Sequence, residues 1–181
     1  PHSDYRSDLI ATSSINTYSH GTNTIPSTDN NYTTLYKRIY YTNLLLDKAD
    51  SFSDKDAIAI PVAEAKFFRA YLHFELVQIW GDAVLLTVPL DLDSEKLYTA
   101  RDDRGVVLDQ IITDLEEAAQ ILPETTSEAG RLTKYAAYAM LSRVALYEGT
   151  WQKFHEGGSE TLTNTSRSTE LLTIAKEAAD K

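Results

Sequence analysis

Cysteine is absent from the 181 residues. That excludes disulfides, thiolate metal sites and cysteine nucleophiles, and it excludes a lipidated N-terminal Cys within this stretch. No apolar run is long enough to span a bilayer. The opening residues PHSDYRSDLIATSS lack the basic start and apolar stretch of an export signal. Positive charge is scarce: 17 Lys and Arg stand against 27 Asp and Glu, a formal charge of −10 that repels phosphate backbones and anionic lipid heads. Nucleic acid is therefore excluded as the expected partner. The four histidines, His2, His20, His73 and His155, are dispersed, and H-E-x-x-H, G-x-S-x-G and Gly-rich phosphate loops are missing. With no catalytic constellation, no metal-ligand set and no cofactor motif, the chain reads as a non-enzyme. Carboxylate pairs such as Asp91 with Asp93 and Glu116 with Glu117 are what any acidic chain offers by chance.

What is present is a helical pattern. At 43% hydrophobic and 24% charged, the chain can bury the core of one or at most two domains. The stretch Pro61 to Pro89 organises it. Proline is tolerated at a helix start and Gly81 is a natural stop, so a long helix is predicted over 61–81. At 100° per residue, Ala65, Phe68, Leu72, Leu76 and Ile79 share one face, and Phe67, Ala70, Phe74, Val77 and Gly81 the opposite one. Two apolar stripes require cover on both sides, as in the middle of a layered helical stack. Phe68, Leu72, Phe74 and Leu76 are expected to be nearly inaccessible, and this helix the most buried of all. Arg69 and Glu64 lie in the seams between the stripes, where guanidinium and carboxylate tie neighbouring helices. His73, one turn from Arg69, reads as a packed seam residue rather than a base or ligand.

EAKFFRAYLHFELVQIWGD resembles the E-A-x-F-x-R-A-aromatic-x-aromatic-x-L-V-x-x-aromatic-G-D signature of the SusD/RagB family, surface glycan-binding lipoproteins that work with a TonB-dependent transporter. Glu64, Ala65, Phe67, Arg69, Ala70, Phe74, Leu76, Val77, Trp80, Gly81 and Asp82 stand at the matching positions, and the chain departs at Val84, where the family commonly has proline. Two further blocks resemble the same family: Ile111, Ile112, Asp114, Leu115, Ala118, Leu122, Pro123, and GRLTKYAAYAMLSRVALY. The resemblance implies an all-α fold of TPR-like antiparallel helix pairs, a SusD-like α–α superhelix with long loops. It also implies a glycan ligand, a SusC-like TonB-dependent transporter as partner, and an outer-membrane surface location, reached through a lipid anchor outside these residues. Glu64, Arg69, Trp80, Gly81, Asp82 and Asn43 form its structural signature here.

Taken in order, residues 1–30 form a Ser/Thr/Asn-rich lead-in loop, with a short helix expected near Asp8 to Thr12. Five main helices are expected near 31–51, 61–81, 102–122, 133–149 and 168–181. The first carries Tyr32, Leu35, Tyr36, Ile39, Asn43 and Leu46 on one stripe, and Asn43 at its centre reads as a buried amide satisfying a neighbouring loop. Residues 82–100 read as an irregular crossover. The third helix carries Leu108, Ile111, Ile112, Leu115, Ala119 and Leu122. In the fourth, Thr133 is the expected N-cap, Gly149 the stop, and Ala136, Ala137, Ala139 and Ala145 let another helix approach closely. Ser168 is expected to cap the last helix, which carries Leu171, Leu172, Ala175 and Ala178. STELLTIAKEAADK is still in helical register at Lys181, so the chain is expected to be an internal part of a longer protein: one helical domain, 1–181, with the stack over 31–181, and with signal, anchor and C-terminal portion elsewhere.

Most of the eleven tyrosines and two tryptophans fall at packing periods. Tyr18, His20 and Asn23 do not. They sit in the polar lead-in, where side chains have no core to serve and functional contacts concentrate, and they are the expected ligand-binding residues. The alternative function is a helical-repeat adaptor that binds a peptide or protein in a concave groove.

Overall fold

The computed structural model describes Thr17, residues 20–155 and residues 165–181. The chain divides into two units, residues 1–31 and residues 32–181. In the first, every described residue is exposed, and a backbone bond from Thr22 N–H to the Thr17 carbonyl (2.9 Å) closes a turn around Gly21, whose φ of +66° favours glycine. The helix expected near Asp8 to Thr12 lies outside the described residues.

Five α-helices follow: α1 (Asn30–Asp50), α2 (Lys55–Trp80), α3 (Arg104–Ile121), α4 (Lys134–Phe154) and α5 (Thr165–Ala179). Among the described residues the only other regular pieces are a 3₁₀ turn over Glu95–Tyr98 and one antiparallel bridge, Ala83 to Asp102. None of these helices is long and apolar enough to cross a membrane. The expected all-α fold of antiparallel pairs is what forms. Side-chain partners run in opposite order along each pair: Tyr32 with Trp80 and Asn43 with Arg69 between α1 and α2, Gly149 with Ser168 and Ser142 with Ala175 between α4 and α5.

Three boundaries differ from the sequence expectation, each for a local reason. Helix α2 starts six residues before Pro61, because Asp54 accepts from Ala57 N–H and KDAIAI is a competent first turn. Pro61 therefore lies inside the helix, where its missing N–H leaves the Ala57 carbonyl without its usual donor. Gly149 does not stop α4. The helix runs on to Phe154, and the glycine is where α5 comes closest: a Cβ there would lie 3.1 Å from Leu172 Cγ and 3.2 Å from Leu171 Cβ. Ser168 is not a cap but a buried residue within α5, and its hydroxyl donates to the Gly149 carbonyl at 2.7 Å. Thr133 does sit at the N-cap of α4, but its side chain makes no capping bond.

The core centres on α2, α3 and α4, with Leu72, Phe74, Leu76, Leu108, Ile111, Leu115 and Val144, and takes Ile39 from α1 and Leu171 from α5. The expectation for Phe68 fails, since it is 47% exposed while Leu72, Phe74 and Leu76 are buried. Helix α4 lies beside Phe68 without closing over it. There Phe68, Tyr71, Ala136, Ala139, Met140 and Arg143 line an open groove of about 440 Å³. Nor is α2 the most buried helix, because α3 buries ten residues in 18 where α2 buries ten in 26. Helix α3 lies between α2 and α4, so neighbours close over both of its sides.

Candidate functional site

Asn43, Arg69, Trp80, Gly81 and Asp82 of the signature converge on one feature, the irregular strap over residues 82–88 that leaves α2. Gly81, with φ of +74°, ends the helix and turns the chain, a conformation that L side chains rarely adopt. Asp82 Oδ1 then accepts from Arg104 N–H at 3.1 Å, fixing the start of α3 to the end of α2. Trp80 packs edge-on against Tyr32 of α1, with ring centroids 5.2 Å apart. Among the described residues the strap has no neighbouring strand beyond the Ala83–Asp102 bridge, and side chains satisfy it instead.

Most of the strap's backbone groups from Val84 to Val88 meet a named side-chain partner. The Tyr36 hydroxyl donates to the Val84 carbonyl at 3.1 Å and accepts from Val84 N–H at 2.9 Å. Val84 thus uses an N–H that proline would not have. Burial pushes the Tyr36 phenol well above its ordinary value. Leu85 N–H donates to Asp102 Oδ2 at 2.8 Å. Asn43 is buried and donates through Nδ2 to the carbonyls of Leu86 (2.9 Å) and Val88 (3.2 Å).

Arg69 is the hub. Its Nε and one terminal nitrogen each donate to the Asp114 carboxylate of α3 at 2.7 Å, and its other terminal nitrogen donates to Asn43 Oδ1 (3.2 Å) and the Thr87 carbonyl (3.1 Å). Gln110 adds a bond to the same carboxylate at 3.0 Å. The planar fork lets one cation hold a helix and a strap at once. His73 completes the set: Leu86 N–H donates to Nε2 at 3.3 Å, so the proton sits on Nδ1, which donates to the Arg69 carbonyl at 2.9 Å. Burial lowers this imidazole from 6.5 to about 4, with the Arg69 charge acting in the same direction, so the ring is neutral.

A cleft of about 520 Å³ opens beside this hub, between the end of α1, the start of α2 and Thr87 to Pro89. Asn43 and Arg69 border it, but their polar atoms are already engaged by the strap and by Asp114. Among the described residues no three His, Asp or Glu side chains cluster closely enough to hold a metal ion.

Of the residues expected to bind ligand, His20 and Asn23 are exposed and Tyr18 lies outside the described residues. Glu64 stands apart from the hub, pairing through both oxygens with Arg131 at 2.7 and 2.9 Å near the surface. Sequence reasoning missed a second buried pair: Arg104 of α3 donates to both oxygens of Glu148 of α4 at 3.0 and 2.6 Å, and its guanidinium lies 4.3 Å from the Trp151 ring centre. The signal was there to read. Glu148 falls on the same stripe as Leu141, Val144 and Ala145, and a carboxylate on an apolar stripe demands a cation.

Comparison with known proteins accords with this frame. Residues 2–146 match a SusD-like family model described as "Starch-binding associating with outer membrane". The chain belongs to the SusD-like family. It is similar to SusD-like protein P25 of Formosa agariphila, at 34% identity over 125 residues, covering 65% of this chain and 23% of that protein. Among solved structures it is similar to a laminarin-binding SusD-like protein (31% identity, TM-score 0.65, 76% of this chain and 30% of that one). Another, solved with a xylogluco-oligosaccharide, is 25% identical, with a TM-score of 0.64 over 87% of this chain and 31% of that one. The chain thus spans about a quarter of the curated relative and less than a third of each solved one.

Proposed function

We propose that this chain is the helical scaffold of a non-catalytic glycan-binding lipoprotein at the outer-membrane surface, which captures oligosaccharide and passes it to a SusC-like TonB-dependent transporter. The family match over residues 2–146 carries the reading, and the two similar structures associated with laminarin and a xylogluco-oligosaccharide support the ligand class. Between capture protein and helical-repeat adaptor, membership of this family favours the first. The internal chemistry agrees with a scaffold role. Arg69, Asp114, Asn43 and His73 spend their polar atoms on backbone and on one another, so the helical stack presents a fixed surface and leaves recognition to loops.

The ligand contacts proposed in the lead-in are Tyr18, His20 and Asn23. Isothermal titration of the full-length protein with laminari- and xylogluco-oligosaccharides tests the reading. Binding without release of shorter sugars is the expected result, and absence of binding to any glycan overturns it. Alanine at Tyr18, His20 and Asn23 together weakens that binding while the thermal midpoint stays put. Lost stability with unchanged affinity makes the lead-in a structural strap instead. Co-purification with the transporter from outer membranes tests the partner.

A further inference from the structure

One anchor of the strap differs in kind from the others. Leu86 N–H donates to His73 Nε2 at 3.3 Å, and that nitrogen accepts only while it carries no proton. The other ring nitrogen is no substitute, because it donates to the Arg69 carbonyl at 2.9 Å. With the side chain buried, a proton on Nε2 sets the ring N–H against the Leu86 N–H and leaves both without an acceptor.

No other anchor of the strap titrates between neutral pH and pH 4. The Asn43 amide, which holds the Leu86 and Val88 carbonyls, has no ionisable group, and the Arg69 guanidinium keeps its protons on the Thr87 carbonyl. The Tyr36 phenol, raised by burial, stays neutral on Val84. Burial alone would raise the Asp102 carboxyl, but the Leu85 N–H and the Lys96 ammonium hold it below its ordinary value, so Leu85 keeps its acceptor after Leu86 has lost its own. The charges that face the imidazole are Arg69 on its own helix and Asp114 on α3. The guanidinium opposes a second positive charge, and Asp114 already accepts two bonds of 2.7 Å from Arg69. Asn43, the α1 residue of the hub, is neutral, and residues 84–88 have no titratable side chain.

We propose that His73 is an acid-sensitive latch on the strap: protonation of Nε2 expels the Leu86 N–H and loosens the segment from Leu86 to Pro89, whose last three residues wall the cleft of about 520 Å³ beside Arg69. The latch goes beyond the glycan reading and does not depend on it. Burial holds the imidazole of the closed form down, from 6.5 to about 4, whereas a ring opened to water takes its proton at the ordinary value. The loosened form therefore gains about tenfold for each pH unit below 6.5, and on the order of a hundredfold by pH 4.

Native-state hydrogen exchange of the full-length protein, read as protection factors between pH 7 and pH 4 and at low urea concentrations, tests the latch. The Leu86 amide is expected to lose about tenfold in protection per pH unit below 6.5. That exchange should be nearly insensitive to urea, because a local opening exposes little surface, while the amides of Ile111 and Leu115 in the middle of α3 respond to urea as global unfolding does. His73→Gln offers Leu86 an acceptor that takes no proton, and it should remove the pH dependence at Leu86. A Leu86 protection factor that does not change with pH overturns the latch. So does a urea response at Leu86 equal to that of Leu115, since the strap then opens only when the whole stack unfolds. An undiminished pH dependence in His73→Gln assigns the proton to another group and overturns it as well. Should that variant fail to fold, the pH and urea responses of the parent protein decide by themselves.

Discussion

Two buried arginines hold this stack together in different ways. Arg69 reaches 45 residues along the chain to Asp114 and Arg104 reaches 44 to Glu148, so each joins one helix to the next by a two-pronged guanidinium–carboxylate contact. Arg104 does little else with its charge, and Trp151 lies against it as an apolar lid. Arg69 does more, because its remaining donors hold the Thr87 carbonyl and, through Asn43, orient the amide that holds Leu86 and Val88. One pair fastens helices. The other fastens helices to an irregular strap held by side chains, and the signature residues Asn43, Arg69, Gly81 and Asp82 gather around that strap.

The largest effect expected separates them directly. Arg69→Ala and Arg104→Ala each strand a buried carboxylate, at a cost of about 3 to 5 kcal/mol in urea unfolding. Arg69→Ala should be the worse, since Thr87 and Asn43 also lose a donor. Apolar replacement of both partners sharpens the contrast. Arg104→Met with Glu148→Leu should recover most of the loss, as buried pairs replaced together often do, whereas Arg69→Met with Asp114→Leu should not. Equal recovery in the two doubles erases the distinction.

Next in size is Phe74→Ala, which opens a cavity in the core against Tyr147 and should cost about 3 to 5 kcal/mol, against about 1 kcal/mol for Phe68→Ala on the open groove. Comparable losses would mean that Phe68 is covered in solution.

Only the Arg69 region contains a buried imidazole, so only it should respond to mild acid. Between pH 6.5 and about 4 the unfolded chain takes a proton on His73 that the folded chain refuses. Stability is therefore retained above pH 6.5 and declines as pH falls toward 4, by on the order of 3 kcal/mol. His73→Gln should flatten that part of the stability–pH curve. Asp102, whose carboxyl is held below its ordinary value by the Leu85 N–H and the Lys96 ammonium against a desolvation that raises it, adds a loss only at still lower pH. An unchanged slope in the His73 variant removes the imidazole from the account.

The smallest effect should come from the surface pair, Glu64 with Arg131. Solvent screens it, and Arg131→Ala should leave the thermal midpoint where it was. A clear drop would put this pair beside the two buried ones.

Some of this was legible in the residues. Periodicity placed the helices within a few residues and set Leu108, Ile111, Leu115 and Ile39 in the core, because burial of one face is a local, repeating demand on the sequence. Asn43, alone and polar at the centre of an apolar stripe, could be read as a buried amide serving a nearby loop. The start of α2 was misplaced because Pro61 is the stronger local signal, yet Asp54 caps the helix two turns earlier. Gly149 and Ser168 each carry a local preference, stop and cap, that the close approach of α5 overrides.

Sequence alone determined that the chain is helical, acidic and built on the pattern of its family, since these follow from composition and spacing within single helices. Tertiary structure decided the rest. Which residues of the apolar stripes on α2 stay open is settled by what packs over them, and which acid answers each arginine and which side chains satisfy the strap depend on partners 13 to 48 residues away along the chain. A hydrogen bond or ion pair is a demand on geometry between elements, and periodicity within an element carries no information about where the neighbouring element will bring its partner.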